Sequence, residues 1–139
     1  MRKHVLAAAA CVIVATATPV AHVTIAPGES RNGASERYTV RVPTEGQVAT
    51  VGVSLEIPAG VTVTGVLASA GWTAELRREQ NRVVEIAWKV QIPPQQFGEL
   101  VFTARNPREG GEILWKVTQR FEDGSSRQWT PKTTLNAGW

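Results

Sequence analysis

The feature that most constrains this chain is its two-residue rhythm. In "ERYTVRVP" the apolar Tyr38, Val40 and Val42 alternate with Arg37, Thr39 and Arg41, and "ATVGVSLEIP" sets Val51, Val53, Leu55 and Ile57 on one side in the same way. Successive side chains of a β-strand point to opposite faces, so this spacing buries one face and wets the other. "VTVTGVLA", "WTAELRR", "RVVEIAWKV", "GELVFTARNP" and "EILWKVTQRFEDGSSRQWT" continue at strand length, and no stretch of the same kind shows helical spacing. Pro43, Pro58, Pro93, Pro94 and Pro107 fall at segment ends, and Asp123-Gly124 reads as a tight hairpin turn. Roughly seven to nine short strands with turns about every 8–12 residues predict an all-β, two-sheet sandwich of immunoglobulin or fibronectin type III kind. A small closed barrel has the same strand count and is the alternative.

The N-terminus breaks this rhythm. Arg2, Lys3 and His4 precede the apolar run "VLAAAACVIVATA", and the sequence turns polar and β-like after Ala21. Such a basic start and short apolar run make a secretory signal peptide, here expected over residues 1–21, with a single domain over 22–139. Ala15-Thr16-Ala17 offers an alternative cut after Ala17. Cys11 falls inside the leader and reads as discarded filler. No second apolar stretch long enough for a membrane helix follows, so the expected address is periplasmic or secreted, with no stable membrane span once the leader is removed.

Removal of that leader would narrow the chemistry. The single Cys and Met lie in it, as does one of the two His, leaving His22. Loss of Arg2 and Lys3 lowers Lys+Arg from 15 to 13 against 12 acidic residues. No basic stripe with interleaved aromatics remains for nucleic acid. A serine or cysteine hydrolase needs a base beside its nucleophile, and residues 22–139 have only His22 to supply an imidazole. Gly110-Gly111 lacks the Lys-Ser/Thr sequel of a phosphate loop. Glu29, Glu36, Glu45 and Glu56 could supply a carboxylate pair, but nothing in their spacing fixes a separation.

Metal binding through the terminus is what survives. If the Ala21–His22 bond is cut, one residue offers an α-amino nitrogen and an imidazole Nδ1, which together close a chelate ring on a divalent ion. An α-amino group and an imidazole both give up their protons to a metal near neutral pH. Among first-row ions a nitrogen and oxygen set favours Cu²⁺, with Zn²⁺ the weaker competitor, and without thiolate or thioether nothing soft would hold Cu⁺. The residues themselves leave open a histidine of no consequence in a frayed strand.

"AHVTIAPGES", followed by "ERYTVRVPTE", "GWTAEL", "IAWKV", "QFGELVFTARNP" and "FEDGSSRQWT", resembles the YcnI-like family of bacterial exported copper-binding domains over nearly all of residues 22–139. The resemblance implies a β-sandwich that binds Cu²⁺ through a mono-histidine brace, with a glutamate and a tryptophan completing or covering the site. By position the brace falls on His22, the glutamate on Glu29 with Glu36 in reserve, and the tryptophan on Trp129. An indole N–H is a donor and not a normal ligand, so Trp129 is expected to pack beside the ion. Trp72, Trp88 and Trp115 are expected as core or edge aromatics, and Trp139 has no assigned place. The implied role is copper homeostasis without catalysis, as a metallochaperone or in copper storage or sensing, with other exported copper carriers or a membrane copper importer as partners. The alternatives are a copper-dependent oxidase or oxygenase, whose brace needs a second histidine, and a metal-free structural or adhesive sandwich.

Overall fold

A computed structural model describes residues 21–138. Residues 1–20, which carry most of the expected leader with Cys11 and the alternative cut after Ala17, lie outside the described residues, as does Trp139.

The alternating segments form strands and no helix appears among the described residues. One sheet runs β1 (Thr24–Ala26), β3 (Ser35–Pro43), β8 (Phe97–Arg105), β5 (Thr62–Val66). The facing sheet runs β11 (Ser126–Trp129), β10 (Lys116–Phe121), β4 (Thr50–Glu56), β7 (Arg82–Ile92), β6 (Thr73–Glu79). A small third sheet of β2 (Glu29–Arg31), β12 (Lys132–Asn136) and β9 (Glu112–Leu114) shares no ladder with these two but packs Ile113 and Leu135 into the same core. The predicted all-β sandwich is thus the fold. The described residues form twelve strands in three sheets, more than the seven to nine strands in two sheets expected. The excess comes from β1, β2 and β9, of three residues each: β1 and β2 are too short for alternation to announce, and β9 is split from the "EILWKVTQRF" run at Trp115.

Burial follows the rhythm that the sequence lays down. Tyr38, Val40 and Val42 of β3 are fully buried while Arg37 and Arg41 are exposed. Val53 and Leu55 of β4 point inward, and Ile57 joins them just past its end. Val51 departs from the expected face and is only half-buried, because the register of β4 against β7 shifts between Thr50 and Gly52 and puts Thr50 inside instead. A bulge of this kind reverses side-chain facing at one point and restores it beyond.

The centre of the core is aromatic. Trp115 lies 5.0 Å from Tyr38 and 5.6 Å from Phe102, ring centre to ring centre, and both contacts are edge-on. Its indole N–H donates to Thr133 Oγ1 at 3.0 Å, so the one polar atom of the ring is satisfied in the interior. Trp88 is also buried, and Trp72 is half-buried against the cluster, as expected for core and edge aromatics. Trp72 owes its seat to Gly98: a β-carbon there would come within 2.7 Å of Trp72 Cη2 and 2.8 Å of Ile92 Cδ1.

The expected Asp123-Gly124 hairpin joins β10 to β11. Gly124 takes φ +86°, and Asp123 Oδ1 accepts from the Ser125 backbone N–H at 2.9 Å and from its hydroxyl at 2.5 Å. These bonds from Ser125 hold the Asp123 carboxyl below the usual carboxylate range.

Because Trp115 is fully buried against Tyr38 and Phe102 of the first sheet and bonds the hydroxyl of Thr133 in the third, Trp115→Ala is expected to cost about 3–5 kcal/mol. A urea unfolding midpoint measures it, and a loss below about 1 kcal/mol would show that the core does not centre on this ring.

Candidate metal centre

His22 stands at the rim of the sandwich because the strand after it is anchored. Val23 and Ile25 are 3% and 5% exposed and pin the start of the chain to the core, while His22, Thr24 and Ala26 are exposed. β1 pairs antiparallel with β3, Thr24 opposite Arg41 and Ala26 opposite Thr39. Continued back by two residues, that register sets His22 level with Pro43, at the end of β3.

Both β1 and β11 are edge strands of their sheets, and the structure brings them together at His22 and Trp129. The two rings meet edge-on, with centroids 5.1 Å apart and planes at 82°. Trp129 is half-buried against the core, and its N–H is turned inward, donating to Gln119 Oε1 at 3.0 Å. The indole nitrogen is therefore occupied and the ring is what faces His22. The guanidinium of Arg127 lies 5.2 Å from the centre of the same ring.

The structure does not bring Glu29 to His22. Glu29 sits in β2, opposite Thr134 of β12 in the third sheet. Measured against β3, the chain passes from the level of Pro43 at His22 to the level of Glu36 at Ser30, whose hydroxyl donates to Glu36 Oε2 at 2.7 Å. From the level of Pro43 to that of Glu36 is seven residues of continuous β3, so at about 3.3 Å each the two ends lie about 20 Å apart. Glu36 lies at that same far end and fails for the same reason. Proximity in sequence misleads here because β1 follows β3 away from Pro43 and the chain then leaves for the third sheet, where β2 pairs with β12.

The carboxylates at the His22 end are others. A cleft of about 310 Å³ is lined by Ala21, Pro43, Glu45, Asp123, Arg127 and Trp129, among others. A second, of about 370 Å³, shares Ala21, Pro43 and Glu45 and extends to the exposed Phe97. Asp123 is committed to Ser125. Glu45 is exposed and makes no ion pair among the described residues. It comes directly after the "VPT" of the β3 end, where the alternation stops, so nothing in the pattern marked it above Glu29. Among the described residues no three His, Cys, Asp or Glu side chains gather, so a metal here would need the backbone nitrogen of His22 as a donor.

Gln119 is the residue that sequence reading missed. It occupies an inward position of β10, two residues after Val117 and four after Trp115, and is 2% exposed. A polar residue at an apolar step of "WKVTQRF" was the available signal. Its amide touches Trp129, Pro43 and Thr50.

At the far end, Tyr38 donates to Asn106 Oδ1, and Asn106 Nδ2 donates to Ser30 Oγ at 2.8 Å and to Arg31 O at 2.7 Å. Burial of the hydroxyl pushes the Tyr38 pKa up to about 12, with the charge of Glu36 adding to the rise against the hydrogen bonds of Ser30 and Asn106. Since the folded value lies above the unfolded value of about 10, the associated stability is complete below pH ~10 and is lost as pH rises towards 12. Tyr38 is the chain's single tyrosine, so phenolate absorbance reports it alone. Ionisation is expected near pH 12 in the folded protein and near 10 in urea; a folded titration near 10 would contradict the burial of this hydroxyl.

Residues 22–138 match the family described as "Domain of unknown function (DUF1775)". The chain is 33% identical over 118 residues to the "Copper-binding protein CutI" of Bacillus subtilis (strain 168), a match covering 83% of this chain and 58% of that protein. The chain thus matches little more than half the length of this relative. An uncharacterised Nocardia farcinica protein, whose crystal structure reveals an immunoglobulin-like fold, superposes with TM-score 0.74 at 25% identity over 82% of this chain and 97% of that one. A cohesin module from a Clostridium perfringens glycoside hydrolase superposes with TM-score 0.59 at 12% identity over 87% and 100%, a likeness of fold.

Proposed function

Since the chain belongs to the DUF1775, or YcnI-like, family, we propose that it is an exported Cu²⁺-binding protein that holds the ion at an N-terminal mono-histidine brace on His22. The observation that carries this reading is the edge-on seat of His22 against Trp129, beside a cleft whose free carboxylate is Glu45. The copper-binding character of the relative from Bacillus subtilis supports the choice of metal.

The donor chemistry fits. Cleavage of the Ala21–His22 bond frees the α-amino nitrogen, which chelates together with imidazole Nδ1. Ala21 lines both clefts, so its removal opens the space beside Glu45 as it frees that nitrogen. Glu45 then supplies an oxygen donor, in place of the Glu29 expected from sequence. Two nitrogens and an oxygen suit the tetragonal preference of Cu²⁺. Trp129 packs beside the ion and excludes water from one side, its own N–H engaged elsewhere. A site without thiolate or thioether releases the ion on reduction to Cu⁺, which suits a carrier.

The corresponding role is copper homeostasis in the periplasm or outside the cell: holding the ion and passing it to other exported carriers or a membrane importer. An oxygenase brace would require a second histidine, and residues 22–139 contain only His22.

Protein beginning at His22 is expected to take up one Cu²⁺, read by calorimetry. Acetylation of the His22 amine is expected to weaken binding at least about 100-fold, and Glu45→Gln about tenfold, with Glu29→Gln unchanged. Equal affinity with and without the acetyl group would remove the brace from the account.

A further inference from the structure

We infer that Gln119 is the positioning residue of this metal centre: one buried amide sets both the orientation of the Trp129 ring and the backbone that presents Glu45. The inference rests on the copper reading above and adds a residue that touches neither the ion nor its ligands.

The hydrogen bonds leave the amide a single orientation. Trp129 Nε1–H can only donate and Pro43 O can only accept. Gln119 Oε1 therefore accepts from Trp129 at 3.0 Å, and Nε2 donates one hydrogen to Pro43 O at 3.0 Å and the other to Thr50 Oγ1 at 2.8 Å. A flipped amide would set donor against donor at Trp129 and acceptor against acceptor at Pro43. All of its N–H groups and its oxygen are used, and no buried side-chain nitrogen or oxygen among the described residues lacks a partner.

The hydrogen bonds continue in one direction. Thr44 Oγ1 donates to Ile92 O at 2.9 Å, so in its 2.6 Å contact with Thr50 it must accept. Each hydroxyl thus receives one hydrogen bond and gives one, from the indole through Gln119, Thr50 and Thr44 to a carbonyl of β7. Chains aligned in this way strengthen each member. Pro43 and Thr44 are the two residues immediately before Glu45, and Gln119 holds the first directly and the second through Thr50.

β10 does not need this side chain for its own pairing. Val117 fills the equivalent inward position of the strand with an apolar group, and a buried amide is costly unless every hydrogen bond is made. What the amide supplies instead is a common reference for two elements that meet at the site from different sheets. An unanchored Trp129 could rotate about its side-chain bonds, and an unanchored loop could carry Glu45 away from the ion.

The test uses protein beginning at His22 and Cu²⁺ itself, followed by calorimetry and electron paramagnetic resonance. Gln119→Met keeps the length of the side chain and removes all three bonds. It is expected to lower Cu²⁺ affinity about tenfold or more and to replace one sharp axial spectrum with a heterogeneous one. Combined with Trp129→Phe it should cost less than the two single losses together, because both act on one bond. Tyr38→Phe, which breaks the buried network at the far end of β3, serves as the control for destabilisation alone and should leave affinity and spectrum unchanged. Wild-type affinity and spectrum in Gln119→Met would overturn the positioning role and leave the copper reading standing. A wild-type protein that binds no Cu²⁺ would overturn both. If Gln119→Met does not fold, Trp129→Phe decides, and an unaltered spectrum there overturns the role.

Discussion

The burial of Val23 and Ile25 is the constraint on which the candidate site depends. These two side chains fix the first strand against β3, and their alternation fixes what the residues between and before them can do. His22 is left at the rim with its ring free of the core, opposite the one aromatic of the other sheet's edge strand. A one-residue slip of β1 would bury His22 and expose Val23, so the hydrophobic pattern protects the position of the histidine. The site is thus a by-product of the two-residue period that also builds the sandwich.

Much of this was legible in the sequence, and the rest fails for identifiable reasons. The strand class, the Asp123-Gly124 hairpin and the interior places of Trp88 and Trp115 all derive from alternation and turn chemistry, which act over a few residues. Val51 was misplaced because a bulge changes facing at one step; the mark it leaves in the sequence is Gly52, a glycine inside the strand pattern. Three-residue strands such as β2 carry too little alternation to be seen, and the third sheet they help to form was invisible for that reason. Trp129 could be matched to His22 through the family resemblance, whereas Glu29 could not survive the geometry. Seven residues are short in sequence, but they carry the chain from one end of β3 to the other, about 20 Å. Glu45 lies 23 positions from His22 in sequence and beside its terminus in space, a proximity that only the β1–β3 register creates.

Gln119 shows a different limit. Its presence on an inward step of β10 was readable as an anomaly, since its neighbours at that facing are Val117 and Trp115. Its partners were not readable, because Trp129, Pro43 and Thr50 come from three separate segments. Polar residues in cores are costly unless paired, so an anomaly of this kind signals that the fold brings specific partners to it. Membership of the DUF1775 family and the likeness to a copper-binding protein give that buried amide a context. The fold alone, shared with immunoglobulin-like and cohesin structures, does not identify a function.

The central claim is that one residue, His22, supplies both nitrogens that hold Cu²⁺. Electron paramagnetic resonance of the Cu²⁺ adduct, prepared with and without nitrogen-15 confined to histidine, measures this directly. The account predicts an axial spectrum with two coupled nitrogens, both altered by labelling the single histidine. A spectrum that labelling leaves unchanged would contradict it and would move the copper away from His22.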